Sequence, residues 1–144
     1  MTNSPNLDLV RSLYAKWERG DYSSISWAAP DIEFAVVDGP SPGSWSGIAG
    51  MADAFREIMN AWEGYRATAE EYRELQGDRV LVLQRLDGRG KTSAIDIGQI
   101  QPEAAATYDV REGKVSRVAL YWDRDRAFAD LGLTPEGGAA RSTD

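Results

Sequence analysis

Asp38 is the residue in this sequence that is best suited to act as a general base. It follows the β-rich segment 32–37 and precedes Gly39-Pro40, so its carboxylate would stand at the end of a strand. A carboxylate in that position, facing a pocket walled by aromatic side chains, could accept a proton from a substrate and return it. The same residues also fit a turn, because Asp often begins one. The sequence leaves both interpretations open.

A set of large apolar side chains could form the wall of such a pocket. They recur at helical spacing in the first half of the chain and at a period of two near its end. Tyr14 would add a hydroxyl group that donates a hydrogen bond to a flat or hydrophobic ligand. The same spacings are typical of core residues, and this alternative applies to every member of the set. The predicted pocket residues are Trp17, Phe55, Trp62, Val118, Leu120 and Trp122.

Two other aspartates have both a chemical and a structural interpretation. Asp96 lies within a predicted strand, between two isoleucines that point away from it, and is either exposed or inside the fold. An interior carboxylate would indicate function, because burying one without a partner is costly; the exposed alternative is favoured. Asp123 separates the last strand from a helix and is predicted to cap that helix.

The chain contains no histidine and no cysteine. A Ser-His-Asp triad and a histidine-based metal site therefore cannot be built from it. Thiol chemistry, cysteine-ligated zinc and iron–sulfur clusters are excluded for the same reason. We expect neither a metal nor a cofactor.

The charge balance argues against two classes of partner. The formal net charge is −7 and the pI is about 4.6, whereas phosphate backbones and anionic membranes require a basic surface. Residues 1–5 do not form a basic segment followed by an apolar one, and the longest aliphatic run is residues 80–83. We expect a soluble, cytoplasmic protein that binds neither nucleic acid nor membrane.

The spacing of apolar residues predicts four helices. The clearest begins after Ser46 and carries apolar residues at steps of three and four up to Trp62. Asn6 could cap the first helix, and Gly20 could end it in the left-handed conformation. The other three helices are predicted over residues 6–19, 22–28 and 124–131.

Alternation of apolar and polar residues predicts a sheet in the rest of the chain. A tight turn at Gly113 reverses the last antiparallel pair. The final strand then has an apolar face, formed by Val118, Leu120 and Trp122, and a mixed face, formed by Arg117, Ala119 and Tyr121. Strands are predicted over residues 32–38, 65–75, 79–86, 91–100, 104–111 and 114–122, with a loop over 39–44 and a turn over 87–90.

These elements predict a single α+β domain over residues 1–133, followed by a disordered tail over residues 134–144. N-terminal helices would pack on a curved, mainly antiparallel sheet and form a cone whose open end admits a ligand. The mixed face of the last strand is suited to pairing with a second copy, so we expect a homodimer.

Four short segments carry a pattern that spans most of the chain: LYAKWERGD at 13–21, WSG at 45–47, EGKV at 112–115 and DRDRAF at 123–128. In this order and spacing they resemble the SnoaL-like proteins of the nuclear transport factor 2-like superfamily. The resemblance covers residues 6–133 and implies a cone-shaped nuclear transport factor 2-like fold. That superfamily includes ketosteroid isomerases, polyketide cyclases, epoxide hydrolases, dehydratases and proteins without catalytic activity, so the fold does not fix a function.

The resemblance also implies positions for chemistry, of which only some hold suitable residues. Asp38 stands where ketosteroid isomerases carry their proton-shuttling carboxylate, and Tyr14 lies one position from their hydrogen-bonding tyrosine. Ala105 stands where they carry an aspartic acid that stabilises the oxyanion. Leu120 stands where cyclases and epoxide hydrolases carry an acid, and Ala106 lies near the position of the cyclase histidine.

Two functions are compatible with these residues. The first is a small-molecule-binding protein with a hydrophobic pocket and an unidentified hydrophobic ligand. The second is an isomerase- or cyclase-type enzyme in which Asp38 shuttles a proton on a small apolar or polycyclic ketone. The missing groups at Ala105 and Leu120 favour the first.

Overall fold

Three helices and six strands form the described part of the chain. The computed structural model describes residues 5–19, 21, 26–38, 42–75, 78–90 and 103–133. None of the helices in these ranges is both long and apolar enough to cross a membrane. In chain order the elements are α1 (Pro5–Glu18), β1 (Ala28–Val36), β2 (Gly43–Ser46), α2 (Gly47–Ala61), β3 (Trp62–Leu75), β4 (Arg79–Gly90), β5 (Glu103–Arg111), β6 (Lys114–Tyr121) and α3 (Arg124–Leu131).

The six strands form one sheet in the order β2-β1-β6-β5-β4-β3. β1 and β6 run parallel, and the other neighbouring strands run antiparallel, which confirms the α+β class with a mainly antiparallel sheet. In the parallel pair, Val36 lies opposite Leu120. The N–H of Val37 donates to the carbonyl of Leu120 at 2.9 Å. The ends of β1 and β6 therefore lie side by side.

α1 and α2 cover one face of the sheet and bury the larger core. Apolar residues recur at steps of three and four in both helices, so each helix has one apolar side. Val10, Leu13 and Tyr14 of α1 are buried there, as are Met51 and Ala54 of α2. The strands contribute alternate residues to the same core: Ile32, Phe34, Val80, Val82, Ala106, Tyr108 and Val118.

α3 covers part of the opposite face. Its Ala127 and Phe128 pack in one apolar cluster with Ala119 and Tyr121, which are 1% and 7% exposed. Both belong to the face through which the sequence predicts dimerisation, whereas Arg117 on the same face is exposed. A second copy could reach only what α3 leaves open, and the homodimer stays a prediction.

The turn before β6 and the two ends of α3 have the structures that the sequence predicts. Glu112 and Gly113 have φ angles of 53° and 79° and make the turn between β5 and β6, a conformation that glycine adopts without strain. Asp123 is confirmed as the N-cap of α3, because its carboxylate accepts the N–H of Asp125 at 3.0 Å. Gly132, with a φ angle of 69°, ends that helix.

Two predictions near the start of β3 are wrong. Trp62, predicted as helical, is the first residue of β3, and residues 87–90, predicted as a turn, extend β4. The two segments pair with each other, with Trp62 opposite Gly90 and Glu63 opposite Arg89. Pairing between distant segments satisfies the backbone groups of both strands, and this outweighs the local helix and turn signals.

The predicted loop over residues 39–44 contains the start of β2. This strand pairs with the end of β1, with Trp45 opposite Phe34. Ser46 precedes α2 as predicted, but its hydroxyl donates to Glu33 Oε1 at 3.1 Å and does not cap the helix. The glutamate of the neighbouring strand competes successfully for that hydroxyl.

The start of the chain differs from prediction at two residues. Asn6 lies inside α1 and does not cap it; its side-chain amide donates to Asp78 Oδ1 at 3.2 Å. Ala28, predicted to end a helix, is the first residue of β1. Gly20, residues 22–25, the predicted strand over residues 91–100 with Asp96, and the predicted tail over residues 134–144 lie outside the described residues.

Candidate ligand-binding cavity

A cavity of about 400 Å³ lies between α2 and the sheet. It forms where the C-terminal half of α2 passes over the start of β3 and the ends of β1 and β6. Aromatic and aliphatic side chains make up most of its wall, together with three polar ones. The lining residues are Val36, Trp45, Ala54, Glu57, Ile58, Asn60, Ala61, Trp62, Tyr65, Leu120 and Trp122.

The junction between α2 and β3 builds one end of the cavity. α2 ends at Ala61, and the next residue, Trp62, is already extended while its N–H donates to the carbonyl of Ile58. Ala54, Ile58 and Ala61 are spaced by four and three residues and lie on one side of the helix. Because two of these three side chains are methyl groups, space is left between the helix and the sheet.

Trp62 and Trp122 contact each other at the cavity wall. Their ring centroids lie 5.7 Å apart, and the ring planes are inclined by 42°. Leu86 of β4 and Ala104 of β5 form a buried cluster, and both tryptophans pack against it. The sheet therefore supports this aromatic wall.

Glu57, Asn60 and Tyr65 provide the polar side chains at the cavity. Glu57 and Asn60 are three residues apart on α2, so their side chains are neighbours on the helix surface. Both are exposed, and neither side chain has a hydrogen bond or ion pair to another residue that the structure describes. Among the described lining residues there is no Lys or Arg. A molecule in the cavity would thus meet a carboxylate and an amide that no described side chain already binds.

Three of the predicted pocket residues line the cavity: Trp62, Leu120 and Trp122. The other three fill the core and are not part of the cavity wall. Trp17 packs edge-on against Trp27 and Phe55, with ring centroids 5.8 and 6.1 Å apart. Phe55 also packs against Phe34 at 5.2 Å, and Val118 is 1% exposed in the same cluster.

Tyr14 takes part in a buried chain of hydrogen bonds. The Tyr108 hydroxyl donates to the Tyr14 hydroxyl at 2.8 Å, and Tyr14 donates to Gln84 Oε1 at 2.5 Å. All three side chains are at most 2% exposed. Burial raises the pKa of both tyrosines well above its usual range, so both stay neutral donors. Tyr14 lies outside the cavity wall, and its hydroxyl is already engaged.

The carboxylate of Asp38 joins the ends of two parallel strands. Oδ1 accepts the N–H of Trp122 at 2.5 Å, and Oδ2 accepts the N–H of Asp123 at 3.3 Å. Asp38 thus connects the segment after β1 to the junction between β6 and α3. Within the described residues the structure does not bring Asp38 and Tyr14 into hydrogen-bonding contact, and Asp38 is absent from the cavity wall.

The positions at which catalytic relatives carry acid or base groups have different surroundings here. Leu120 lines the cavity, so an acid at this position would face it. Ala105 is buried in the cluster beneath α3, on the opposite face of the sheet. Ala106 is buried in the larger core. Of these three, only Leu120 borders the candidate site.

Most of the other lining residues lie on α2 and β2. The apolar spacing of Ala54, Ile58 and Ala61 is visible in the sequence and marks the side of α2 that faces the sheet. Trp45 gives no comparable signal, because its position depends on the pairing of β2 with β1. Glu57 and Asn60 resemble any exposed helical residues until the cavity beside them is known.

Solved structures share this fold over most of their length. A nuclear transport factor 2-like protein of unknown function from Burkholderia pseudomallei has a TM-score of 0.72 at 19% identity, covering 88% of this chain and 97% of that chain. TerC, co-crystallised with polyporic acid, has a TM-score of 0.69 at 25% identity, covering 89% and 98%. A protein from Xanthomonas campestris pv. campestris that is provisionally named a polyketide cyclase has a TM-score of 0.63 at 25% identity, covering 87% and 95%.

The sequence comparisons agree with the fold. No curated protein matches the chain. A family model described as the SnoaL-like domain matches residues 10–118, which extend from α1 into β6 and include all of α2. Because this match spans well over half of the chain, the protein belongs to the SnoaL-like family and has the nuclear transport factor 2-like fold.

Proposed function

We propose that this protein binds a flat aromatic small molecule in the cavity between α2 and the sheet. The observation that carries the proposal is the composition of the wall: Trp45, Trp62, Tyr65 and Trp122 border one cavity of about 400 Å³. Small-molecule sites commonly measure about 300–1,000 Å³ and combine apolar walls with a few polar groups. A flat ring would gain both apolar burial and ring–ring contact there.

A related structure supports a small-molecule ligand. TerC was co-crystallised with polyporic acid. Its chain is 25% identical to this one over 89% of the length. The cavity of this chain between α2 and the sheet has mostly apolar walls, which suit a small organic molecule. We carry over only that the ligand is a small organic molecule; its aromatic character is inferred from the cavity wall of this chain.

Ligand binding fits the geometry better than proton transfer by Asp38. Both oxygens of that carboxylate accept backbone N–H groups, and the residue is not among those that line the cavity. Tyr14, the donor expected to assist it, is buried against Tyr108 and Gln84. Within the described residues, the isomerase or cyclase alternative therefore lacks Asp38 as a base at the cavity, and the carboxylate that does line it, that of Glu57, is exposed to water.

A neutral naphthalene derivative, 2-naphthalenemethanol, is a suitable probe for binding. Calorimetric titration would give its affinity, and NMR of the indole N–H groups would locate it. Three of the five tryptophans line the cavity. We expect the signals of Trp45, Trp62 and Trp122 to shift on addition of the probe. Trp17 and Trp27 pack in the core, and their signals should move little.

A pair of matched variants tests the location. Ala61→Phe places a ring in the cavity, whereas Ala52→Phe makes the same change at an exposed position of α2 that does not line it. We expect Ala61→Phe to weaken binding by at least about tenfold, equivalent to roughly 1.4 kcal/mol, and Ala52→Phe to leave it unchanged. The proposal fails if the probe does not bind the parent protein, or if both variants bind it as the parent does.

A further inference from the structure

We propose that the cavity selects a cationic aromatic ligand, of the aryl-alkylammonium class. This rests on the proposed function, because it specifies the charge of the molecule that the cavity binds. Its basis is the combination of three features at one site: aromatic walls, a carboxylate at the edge, and the C-terminal end of a helix. Each of them attracts positive charge.

The aromatic walls favour a cation through the electron-rich faces of their rings. Trp45, Trp62, Tyr65 and Trp122 all line the cavity, and tryptophan is the aromatic residue that attracts cations most strongly. Trp62 and Trp122 are inclined by 42° and do not stack in parallel. Several aromatic residues around one cavity are the arrangement by which proteins recognise organic ammonium groups.

Glu57 adds a formal negative charge to the same cavity. It is the single charged side chain among the described lining residues, and it has no ion-pair partner in the part of the chain that the structure describes. The neighbouring cation on α2, Arg56, is held by Asp53 at 2.6 Å. Asn60, three residues after Glu57, offers an amide oxygen that could accept from an ammonium group. No described residue therefore competes with a ligand for this carboxylate.

The C-terminal end of α2 also attracts positive charge to the cavity. Glu57, Asn60 and Ala61 lie in or next to its last turn, where the carbonyl ends of the helix carry partial negative charge. That turn contains no basic residue, so the helix does not neutralise this charge with its own side chains. An anionic ligand would be repelled by both the carboxylate and the helix end, and a neutral one would gain from neither.

Three probes that share one ring system separate the effect of charge from that of shape. They are 2-naphthylmethylammonium, the neutral 2-naphthalenemethanol and the anionic 2-naphthoate, titrated calorimetrically at pH 7 and low salt. We expect the cation to bind roughly three- to thirtyfold more tightly than the alcohol, from its contact with the rings. The anion should bind most weakly. Added salt should reduce the difference in affinity between the cation and the anion, because the Glu57 carboxylate is exposed.

The matched variants are Glu57→Gln and Glu63→Gln, which remove the same charge from two exposed residues. Glu63 lies at the start of β3 and does not line the cavity. We expect Glu57→Gln to reduce the affinity for the cation about two- to fivefold, as for an exposed ion pair, with the alcohol unaffected and Glu63→Gln like the parent. Cation and alcohol binding equally, or the anion binding most tightly, would overturn the charge selectivity while the proposed function stands. If the two variants behave alike, the part of the selectivity assigned to Glu57 is overturned. Failure of all three probes to bind would overturn both proposals.

Discussion

Replacing Asp38 distinguishes a structural carboxylate from a catalytic one. Asp38→Ala removes the acceptor for the N–H groups of Trp122 and Asp123, at 2.5 and 3.3 Å. A hydrogen bond to a charged group contributes about 1.5–3 kcal/mol. The second contact is long and exposed to water, so the first dominates. We expect a loss of about 2 kcal/mol in the free energy of unfolding and of about 6 °C in Tm. Asp38→Asn keeps one acceptor oxygen and should lose about 1 kcal/mol.

Thermal and urea unfolding, followed by far-UV circular dichroism, would measure these losses. Asp87→Ala is the control, because it removes the same charge from an exposed residue of β4 that has no side-chain hydrogen bond to other described residues. We expect it to change stability by less than about 0.5 kcal/mol. A catalytic base would tolerate replacement without loss of stability. If Asp38→Ala unfolds at the same urea concentration as Asp87→Ala, the strand-joining role assigned to this carboxylate is refuted.

The buried tyrosines support two more predictions. Tyr14→Phe should lower the free energy of unfolding in urea by about 2–3 kcal/mol, because it leaves both Gln84 and Tyr108 without their partner. Tyr108→Phe should lower it by about 1 kcal/mol. Equal losses would contradict this chain of hydrogen bonds. Burial raises the pKa of Tyr14 and Tyr108, so the contribution of the two neutral hydroxyls to stability is fully present below pH 10 and is lost above it. The free energy of unfolding should fall by up to about 1.4 kcal/mol per pH unit for each tyrosine. At pH 11 the absorbance of the folded protein at 295 nm should therefore correspond to at least two fewer tyrosinates than the six that ionise in denaturant. Ionisation of all six in the folded protein would contradict this prediction.

Elements defined by local signals could be predicted from the sequence. α3 has the predicted bounds, and its cap at Asp123 and its stop at Gly132 are those that the sequence indicates. The turn at Gly113 is equally local. In each case a residue type with a particular backbone or hydrogen-bonding preference decides the structure within a few residues.

Elements that depend on distant pairing could not be predicted. Trp62 continues the helical spacing of α2 in the sequence, yet it pairs with Gly90 and begins β3. The glycines after Asp87 suggest a turn, yet the strand continues through them because β3 lies alongside. Trp45 joins the cavity through the pairing of β2 with β1. Periodicity along the chain does not reveal these pairings, so it indicated Trp62, Leu120 and Trp122 as pocket residues but not Trp45.

The position of the acid at the cavity bears on what this chain can do. In catalytic relatives the resemblance places an acid on the last strand; here that position is Leu120, which lines the cavity and offers only apolar surface. The carboxylate at the cavity, Glu57, comes from α2 instead and is exposed to water. A group on a packed strand, shielded from solvent, is suited to proton abstraction in a dry site. A hydrated carboxylate at the edge is suited to recognising charge on a ligand. Leu120 in the place of an acid, together with Glu57 at the edge of the cavity, is therefore consistent with the proposed selective binding and argues against the alternative of proton transfer.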